Sequence, residues 1–372
     1  MSPEVFWCST CLTMSTRPRI SFDEQGRCNA CVWTERKKTL DWSARQSELE
    51  QLLDKHRSDK GSFDCVVPVS GGKDGSYVAY NLKHNYAMNP LTVTINPPLP
   101  TELGQKNLAS FIQSGYPHLG VSPNPQSMQI LNRHGLIEKG FPYFGWLTSI
   151  TLAPLEIAAR FGCYLVFYGE DGEVEYGGAS STESTPYRDM EYLKKIYLED
   201  GHEQVLRASG VNESELQFFT FPDALEPQLS NLKRLNWSYF ENWDPYRNYL
   251  TAKDHCGLED AEGSNSGTFT NFAQNDQFLY ALHTYLMYLK FGFGRANQDA
   301  CIEIRRGAMS REQGVELVRL YDGHYPGEFE SVYLEYFEMG RDEFFAVLRR
   351  WANPHLFHET EPGVWKANFS IT

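Results

Sequence analysis

No apolar run in this chain approaches the ~20 residues that a membrane-spanning helix needs. The longest candidate, residues 146–168, is broken by Glu156 and Arg160, so no membrane partner is expected. Basic charge is also scarce. The chain carries 34 Lys and Arg against 48 Asp and Glu, a net charge of −14, and no basic run exceeds a few residues. That balance argues against nonspecific binding to nucleic acid or to an anionic membrane. The opening Met1-Ser2-Pro3-Glu4 lacks the basic and then apolar segments of a signal peptide. A cytoplasmic location is therefore expected, where the eight cysteines are not expected to form disulfides. What the chain does have is length and apolar content: 372 residues, 41% hydrophobic and 14% aromatic, enough for one large domain or two ordinary ones.

Four cysteines fall in two short knuckles, Cys8-x-x-Cys11 and Cys28-x-x-Cys31, with sixteen residues between them. Each knuckle can aim two thiolates at one ion, and two knuckles complete a tetrahedral four-sulfur site that suits Zn²⁺. With all four positions filled there is no place for a catalytic water, so the metal is expected to be structural. Spacing alone leaves an iron–sulfur cluster or redox dithiols open. Glu35 to His56 follows with a helical pattern, Trp42, Leu49, Leu52 and Leu53 lying near one face, and Lys55 to Ser62 reads as a polar connection.

The most informative stretch runs from Cys65 to Ser76. Cys65 to Val69 reads as a short buried strand. It is followed by Ser70-Gly71-Gly72-Lys73-Asp74-Gly75-Ser76, and then by a helix expected over Ser76–Tyr86 with Ser76 as its cap. Strand, glycine loop and helix start form an anion cradle, because glycine lets backbone N–H groups approach oxygens and the helix start adds partial positive charge. The Walker sequence G-x-x-x-x-G-K-[ST] is absent. The segment instead resembles the PP-loop of the ATP pyrophosphatases, SGGxDS, with Gly75 inserted before the last serine. Members of that superfamily split ATP between its α- and β-phosphates.

Residues 65–168 alternate strands with helices. Further strands are expected at Leu91–Ile95, His118–Val121 and Cys163–Tyr168, and helices at Gly104–Ser114, Gln126–Leu136 and Trp146–Phe161. The pattern predicts a parallel sheet with helices on both faces, whose ligands sit beyond the strand C-termini. One such end is Gly169-Glu170-Asp171-Gly172-Glu173-Val174-Glu175. Its crowded carboxylates suit Mg²⁺ accompanying a nucleotide, with Glu170 foremost; a solvated acidic loop is the plain alternative. Phe218–Pro222 is expected to be a short strand and turn. Trp237–Trp243 suits either a buried core or ring stacking.

A second informative stretch runs from Thr270 to Asp276, through a helix expected at Gln277–Phe291, to Gly292-Phe293-Gly294-Arg295-Ala296. Lys290 and Arg295 flank the Gly-x-Gly turn. Basic groups there fit a phosphate, although a helix C-cap with basic residues answering the dipole also explains them. Ser310-Arg311-Glu312-Gln313 is a capping box, and the remainder reads as helical packing with a ragged tail.

The cysteine knuckles, SGGKDGS, Thr94–Pro98, Phe141-Pro142-Tyr143-Phe144-Gly145-Trp146, Gly169-Glu170, Asp276 and Lys290–Ala296 together resemble the N-acetyl sugar amidotransferases of bacterial lipopolysaccharide O-antigen and pseudaminic-acid pathways. The resemblance implies an adenine nucleotide alpha hydrolase-like α/β fold, divided into a four-cysteine, zinc-ribbon-like module (1–40), an ATP-binding α/β domain (41–180) and a mainly helical substrate or partner region (181–372). It implies an ATP-dependent conversion of an acetamido group, on a nucleotide-activated sugar, into an acetamidino group, with AMP and pyrophosphate released. Ser70, Gly71, Gly72, Lys73, Asp74, Gly75, Ser76 and Gly169 would bind ATP. Asp74 and Glu170 would hold Mg²⁺, Lys290 and Arg295 would close over phosphates, and Tyr143, Trp146 and Asp276 would face the sugar. No cysteine sits in a recognisable glutaminase elbow. The implied ammonia source is a separate glutaminase with a cyclase-like subunit. A PP-loop tRNA-modifying enzyme and a noncatalytic scaffold are the rival readings; the acidic balance weighs against the first and the intact Lys73, Asp74 and Ser76 against the second.

Overall fold

The computed structural model describes residues 5–58, 61–199 and 202–371; Met1 to Glu4, and part of the polar connection at Lys55–Ser62, lie outside them. The two knuckles lead into α1 (Asn29–Lys37) and α2 (Trp42–Lys55). The continuous helix expected over Glu35–His56 is broken because the Asp41 carboxylate accepts the Ala44 amide at 2.9 Å and starts a second helix there.

Next come β1 (Cys65–Pro68), α3 (Lys73–Tyr80), β2 (Pro90–Ile95), α4 (Glu102–Gln113), β3 (His118–Val121), α5 (Pro125–Lys139), α6 (Phe144–Phe161), β4 (Leu165–Tyr168) and α7 (Gly172–Tyr176). These match the expected alternation, with one correction at the glycine loop. Helix α3 starts at Lys73, directly after an extended Gly72 (ψ 176°). Ser76 is therefore not a cap: it lies inside the first turn, fully buried, with its Oγ unpartnered.

The middle of the chain holds β5 (Tyr187–Arg188), α8 (Met190–Tyr192), α9 (His202–Ala208), α10 (Glu226–Leu229) and β6 (Lys233–Asn236). Gln217 and Thr220 bridge across a turn in which Phe218 takes φ 68°, in place of the strand expected at Phe218–Pro222. The C-terminal part is α11 (Pro245–Cys256), α12 (Leu279–Phe291), α13 (Arg295–Arg305), α14 (Arg311–Tyr321), α15 (Glu330–Phe337) and α16 (Arg341–Trp351), and then a hairpin of β7 (Phe357–Glu361) and β8 (Val364–Ala367). The Ser310–Gln313 capping box is formed. The hairpin replaces the ragged tail expected from sequence; Phe357 is buried with Met14, Phe293 and Leu356, and this burial anchors it.

Among the described residues, the main sheet has the order β3-β2-β1-β4-β6-β5. All its neighbouring pairs are parallel except β5–β6, and two of its six strands come from beyond residue 180. Both faces are covered. Val66, Val93 and Val166 pack with Trp146, Leu282 and Phe344 on one side, while Cys65, Val67, Leu165 and Phe167 pack with Leu49, Val78 and Trp237 on the other. Burial on both faces explains why the central strands β1 and β4 read as continuous apolar runs. No helix among the described residues is long and apolar enough to cross a membrane.

Strand order places the site. From β1 the chain moves outward to β2 and β3 on one side, then returns to β4 and β6 on the other. The direction changes between β1 and β4, and a crevice opens outside the carboxyl ends of strands at such a switch point. The loops after β1 and β4 flank it.

Candidate active site

Gly71 carries the sharpest constraint in the loop after β1. Its φ is +79°, and a Cβ there would sit 2.4 Å from the Leu108 nitrogen in α4. Only glycine satisfies both the left-handed backbone and the contact. The turn releases Ser70, Gly72, Lys73, Asp74 and Gly75 into a cavity of about 260 Å³. Lys73 is buried and ion-paired with Asp74, while Asn248 of α11 donates to Asp74 Oδ1 at 3.4 Å. The cavity floor thus combines a helix start, one ammonium and one partly exposed carboxylate.

The loop after β4 supplies a second wall through Glu170 and Tyr176. Asn236 Nδ2 donates to the Glu170 carbonyl at 2.5 Å, and the Ser238 amide donates to the Gly169 carbonyl at 3.1 Å. The Glu170 carboxylate accepts from the Tyr176 hydroxyl and from Trp243 Nε1 at 3.2 Å. Burial, and then the neighbouring Asp74, push its pKa up. Asp171 turns the other way, into a buried ion pair with Arg188, and accepts from Thr182 at 2.7 Å.

The N-terminal module grips this wall from outside. Arg19 makes a fork onto Glu173 at 2.6 and 2.8 Å. Trp33 and Lys37 reach the Glu175 carboxylate at 2.9 and 2.8 Å. Asn29 donates to the Gly178 carbonyl at 2.7 Å, and Arg17 donates to the Gly177 carbonyl. From α13, Arg305 donates to the Glu175 carbonyl at 3.0 Å and to Cys11 Sγ at 3.7 Å. Cys8, Cys11, Cys28 and Cys31 are all buried, with sulfurs within 4.8 Å of one another. The Cys8–Cys31 and Cys11–Cys28 separations are 3.7 and 3.6 Å. Metal–sulfur bonds of ~2.3 Å in a tetrahedron give edges of roughly 3.8 Å, so the cluster fits a metal such as zinc. Amides of Cys28 and Thr13 point at Cys8 and Cys11 sulfurs at 3.1 and 3.4 Å, a donor set suited to thiolates.

The third wall comes from Phe272 to Asp276, with Tyr280 and Arg295. Gly104 makes this approach possible, since a Cβ there would meet the Asp276 Cα at 2.5 Å. Gln274 is held at φ +59°, a costly conformation of the kind that collects at functional sites. Asp276 Oδ2 is buried without a partner, and burial pushes this carboxyl up to about 6. Asp276 also lines a second cavity of about 500 Å³, shared with Ser70 and Gly104 and walled by Val93, Ile95, Pro97, Leu108, Trp146 and Ile150. Arg295 pairs with Asp299 at 2.8 Å. Burial lowers its pKa, but Asp299, Tyr176 and Glu170 outweigh that and hold it raised.

Residues 266–370 match the family model described as "LPS biosynthesis protein WbpG-like, C-terminal domain". This match supports a relation to lipopolysaccharide biosynthesis proteins. The matched segment contains the whole third wall, from Phe272 to Arg295. The chain is also similar to the uncharacterized protein MJ1599 of Methanocaldococcus jannaschii, at 29% identity over 90 residues. That similarity spans 24% of this chain and about a third (32%) of the archaeal protein.

Of the residues singled out from sequence, Ser70, Gly72, Lys73, Asp74, Gly75, Glu170, Asp276 and Arg295 line the one cavity, and Trp146 lines its neighbour. Gly71 packs on α4, and Gly169 lies behind Asp74, where a Cβ would stand 3.1 Å from that residue's Cβ. Tyr143 is buried against Trp146 and Tyr280, with ring centroids at 5.7 and 5.4 Å. Lys290 stands apart from these residues. Its ammonium donates to the Lys139 carbonyl at 2.8 Å and lies over the Trp351 ring, outside the cavity lining. Gly292 (φ 85°) is the left-handed C-cap of α12, so the helix-cap alternative explains Lys290. Tyr176, Tyr280, Asn107 and Asn275 also reach the cavity and were not assigned from sequence. They are ordinary polar and aromatic residues, and the packing of α4, α7, α12 and the loop before α12 collects them.

Proposed function

We propose that the chain is an ATP-dependent, AMP-forming amidotransferase that converts an acetamido group on a nucleotide-activated sugar into an acetamidino group. The observation that carries this reading is the convergence on one cavity of the glycine loop with Lys73 and Asp74, the post-β4 Glu170, and Asp276 and Arg295 from the segment that matches lipopolysaccharide biosynthesis proteins. The fold supports a PP-loop assignment because the loop follows the first sheet strand at the switch point.

The apolar second cavity suits adenine, which leaves the triphosphate at the α3 start. The amide oxygen of the sugar attacks the α-phosphorus; the bond to the β-phosphate oxygen breaks, and pyrophosphate leaves. Lys73, the loop amides and Arg295 stabilise the charge that develops there. A Mg²⁺ ion, held by Asp74 with Glu170 alongside, would supply further charge neutralisation. Ammonia then adds to the activated carbon, AMP departs with the former amide oxygen, and the product is an amidinium. Ammonia is mostly protonated at neutral pH, so delivery from a partner glutaminase through a cyclase-like subunit fits the chemistry.

Pyrophosphate release from ATP, measured with ammonium chloride and a panel of UDP- and CMP-linked acetamido sugars, tests the proposal. Release with one sugar, AMP formation and a product with NH in place of oxygen are expected. Release with tRNA and with no sugar would instead place the protein among tRNA-modifying enzymes.

A further inference from the structure

A third cavity, of about 440 Å³, lies on the other side of the Glu170–Tyr176 wall. Its lining departs from the acidic character of the chain. Lys37, Lys38, Arg305 and Arg306 face it, together with Glu170, Glu175 and Asp244. Two of these carboxylates are already committed: Glu175 to Lys37 and Trp33, and Asp244 Oδ1 to the amides of Tyr246 and Arg247 at the start of α11.

Of the two cations at the rim, Lys38 is held loosely and Arg306 more firmly. Lys38 pairs with Glu35 one turn away, with side chains 65% and 58% exposed. Arg306 pairs with Glu303 one turn away and stands 3.6 Å from Asp244. The exposed Lys38 pair is worth ~0.5 kcal/mol, so an arriving phosphate can recruit that ammonium at little cost. Arg306, 28% exposed, is already placed at the rim by Glu303 and Asp244, and a guanidinium fork suits phosphate oxygens. At the base, Arg305 is fixed by the four-cysteine cluster and the Glu175 carbonyl. Trp42 and Trp243 complete the walls and offer flat apolar surface for a heteroaromatic ring.

We propose that this cavity receives the pyrimidine-nucleotide end of the activated sugar. Arg306 and Lys38 engage its phosphate, a tryptophan flanks its base, and the sugar extends past Glu170 toward the glycine loop. The inference rests on the function proposed above, and it accounts for two phosphate-binding surfaces on opposite sides of one carboxylate. It also gives the N-terminal module a part in substrate binding, since α1 and α2 supply Lys37 and Trp42 and the turn between them supplies Lys38.

The test is calorimetric titration of UDP, and separately CMP, into the metal-loaded full chain, with and without saturating α,β-methylene-ATP. One of the two nucleotides is expected to bind with the ATP analogue already in place. The Lys38→Gln/Arg306→Gln double variant, folded as judged by its melting curve, should bind that nucleotide at least about tenfold more weakly while keeping its affinity for the ATP analogue. Failure of both nucleotides to bind, displacement by the ATP analogue, or unchanged affinity in the double variant would each overturn the inference. Failure of the ATP analogue itself to bind, with UDP or CMP still bound and still sensitive to the double substitution, would count against the proposed function and support this site.

Discussion

Replacing Gly71 with alanine probes the cavity with one methyl group. The backbone there is left-handed (φ +79°), which costs a residue with a Cβ ~1–2 kcal/mol. The methyl would also stand 2.4 Å from the Leu108 nitrogen and 2.6 Å from the Asn107 carbonyl carbon and the Leu108 Cα. These are backbone atoms of α4, so no rotamer change relieves the overlap; the loop or the helix must move by roughly 1 Å, an overpacking cost of another ~1–3 kcal/mol. The total is about 2–5 kcal/mol. Gly162→Ala is the control. Gly162 has φ +70° with nothing within 4 Å of its Cβ position, so that variant carries the conformational cost alone. In urea denaturation Gly71→Ala should lose clearly more stability than Gly162→Ala. It should also lose most of its affinity for α,β-methylene-ATP, because a shift of ~1 Å misaligns the proposed phosphate cradle. Equal stability losses in the two variants, together with unchanged nucleotide affinity, would refute the reasoning.

Three further outcomes are expected. Burial pushes Asp276 from the ordinary 3.8 up to about 6, so the folded state binds more protons than the unfolded chain between those values. The residue's stabilising contribution is complete below about pH 4 and lost as pH rises through 6. Asp276→Asn should therefore be more stable than the parent at pH 8, by up to ~3 kcal/mol, with the gain vanishing near pH 4; parallel stability–pH curves would contradict this. Cys28→Ser, or metal removal by a chelator, should speed amide exchange across residues 172–178 more than in β1 and β4, because the module clamps that segment; equal protection before and after would sink the clamp. Lys290→Ala should leave affinity for the ATP analogue within about twofold of the parent and lower the melting temperature, since Lys290 holds the Lys139 carbonyl and the Trp351 ring. A selective loss of nucleotide binding would return Lys290 to the site.

Local signals in the chain determined a good deal. Continuous apolar runs marked β1 and β4 because both faces of the sheet are buried, and the glycine pair next to Lys73 and Asp74 marked the turn at whose Gly71 position no other residue type is tolerated. Paired CxxC spacing marked four sulfurs that do converge. Other features depended on contacts between distant segments. Lys290 and Arg295 both flank the Gly-x-Gly turn in sequence, with the phosphate role favoured for Arg295 and evenly balanced against a helix cap for Lys290; the α12 C-cap turns the chain between them, sending one to the Lys139 carbonyl and the other into the cavity. Residues 357–367 form a hairpin because Phe357 finds a buried partner in Met14 from the other end of the chain. The grip of Arg17, Arg19, Trp33 and Lys37 on residues 173–177 joins segments far apart in sequence, and no local spacing encodes it. Backbone conformation and ligand spacing are fixed over a few residues, and the sequence alone determined them. Which side chains share a cavity depends on the strand order that brings the loops after β1 and β4 together, and only the tertiary structure decided that.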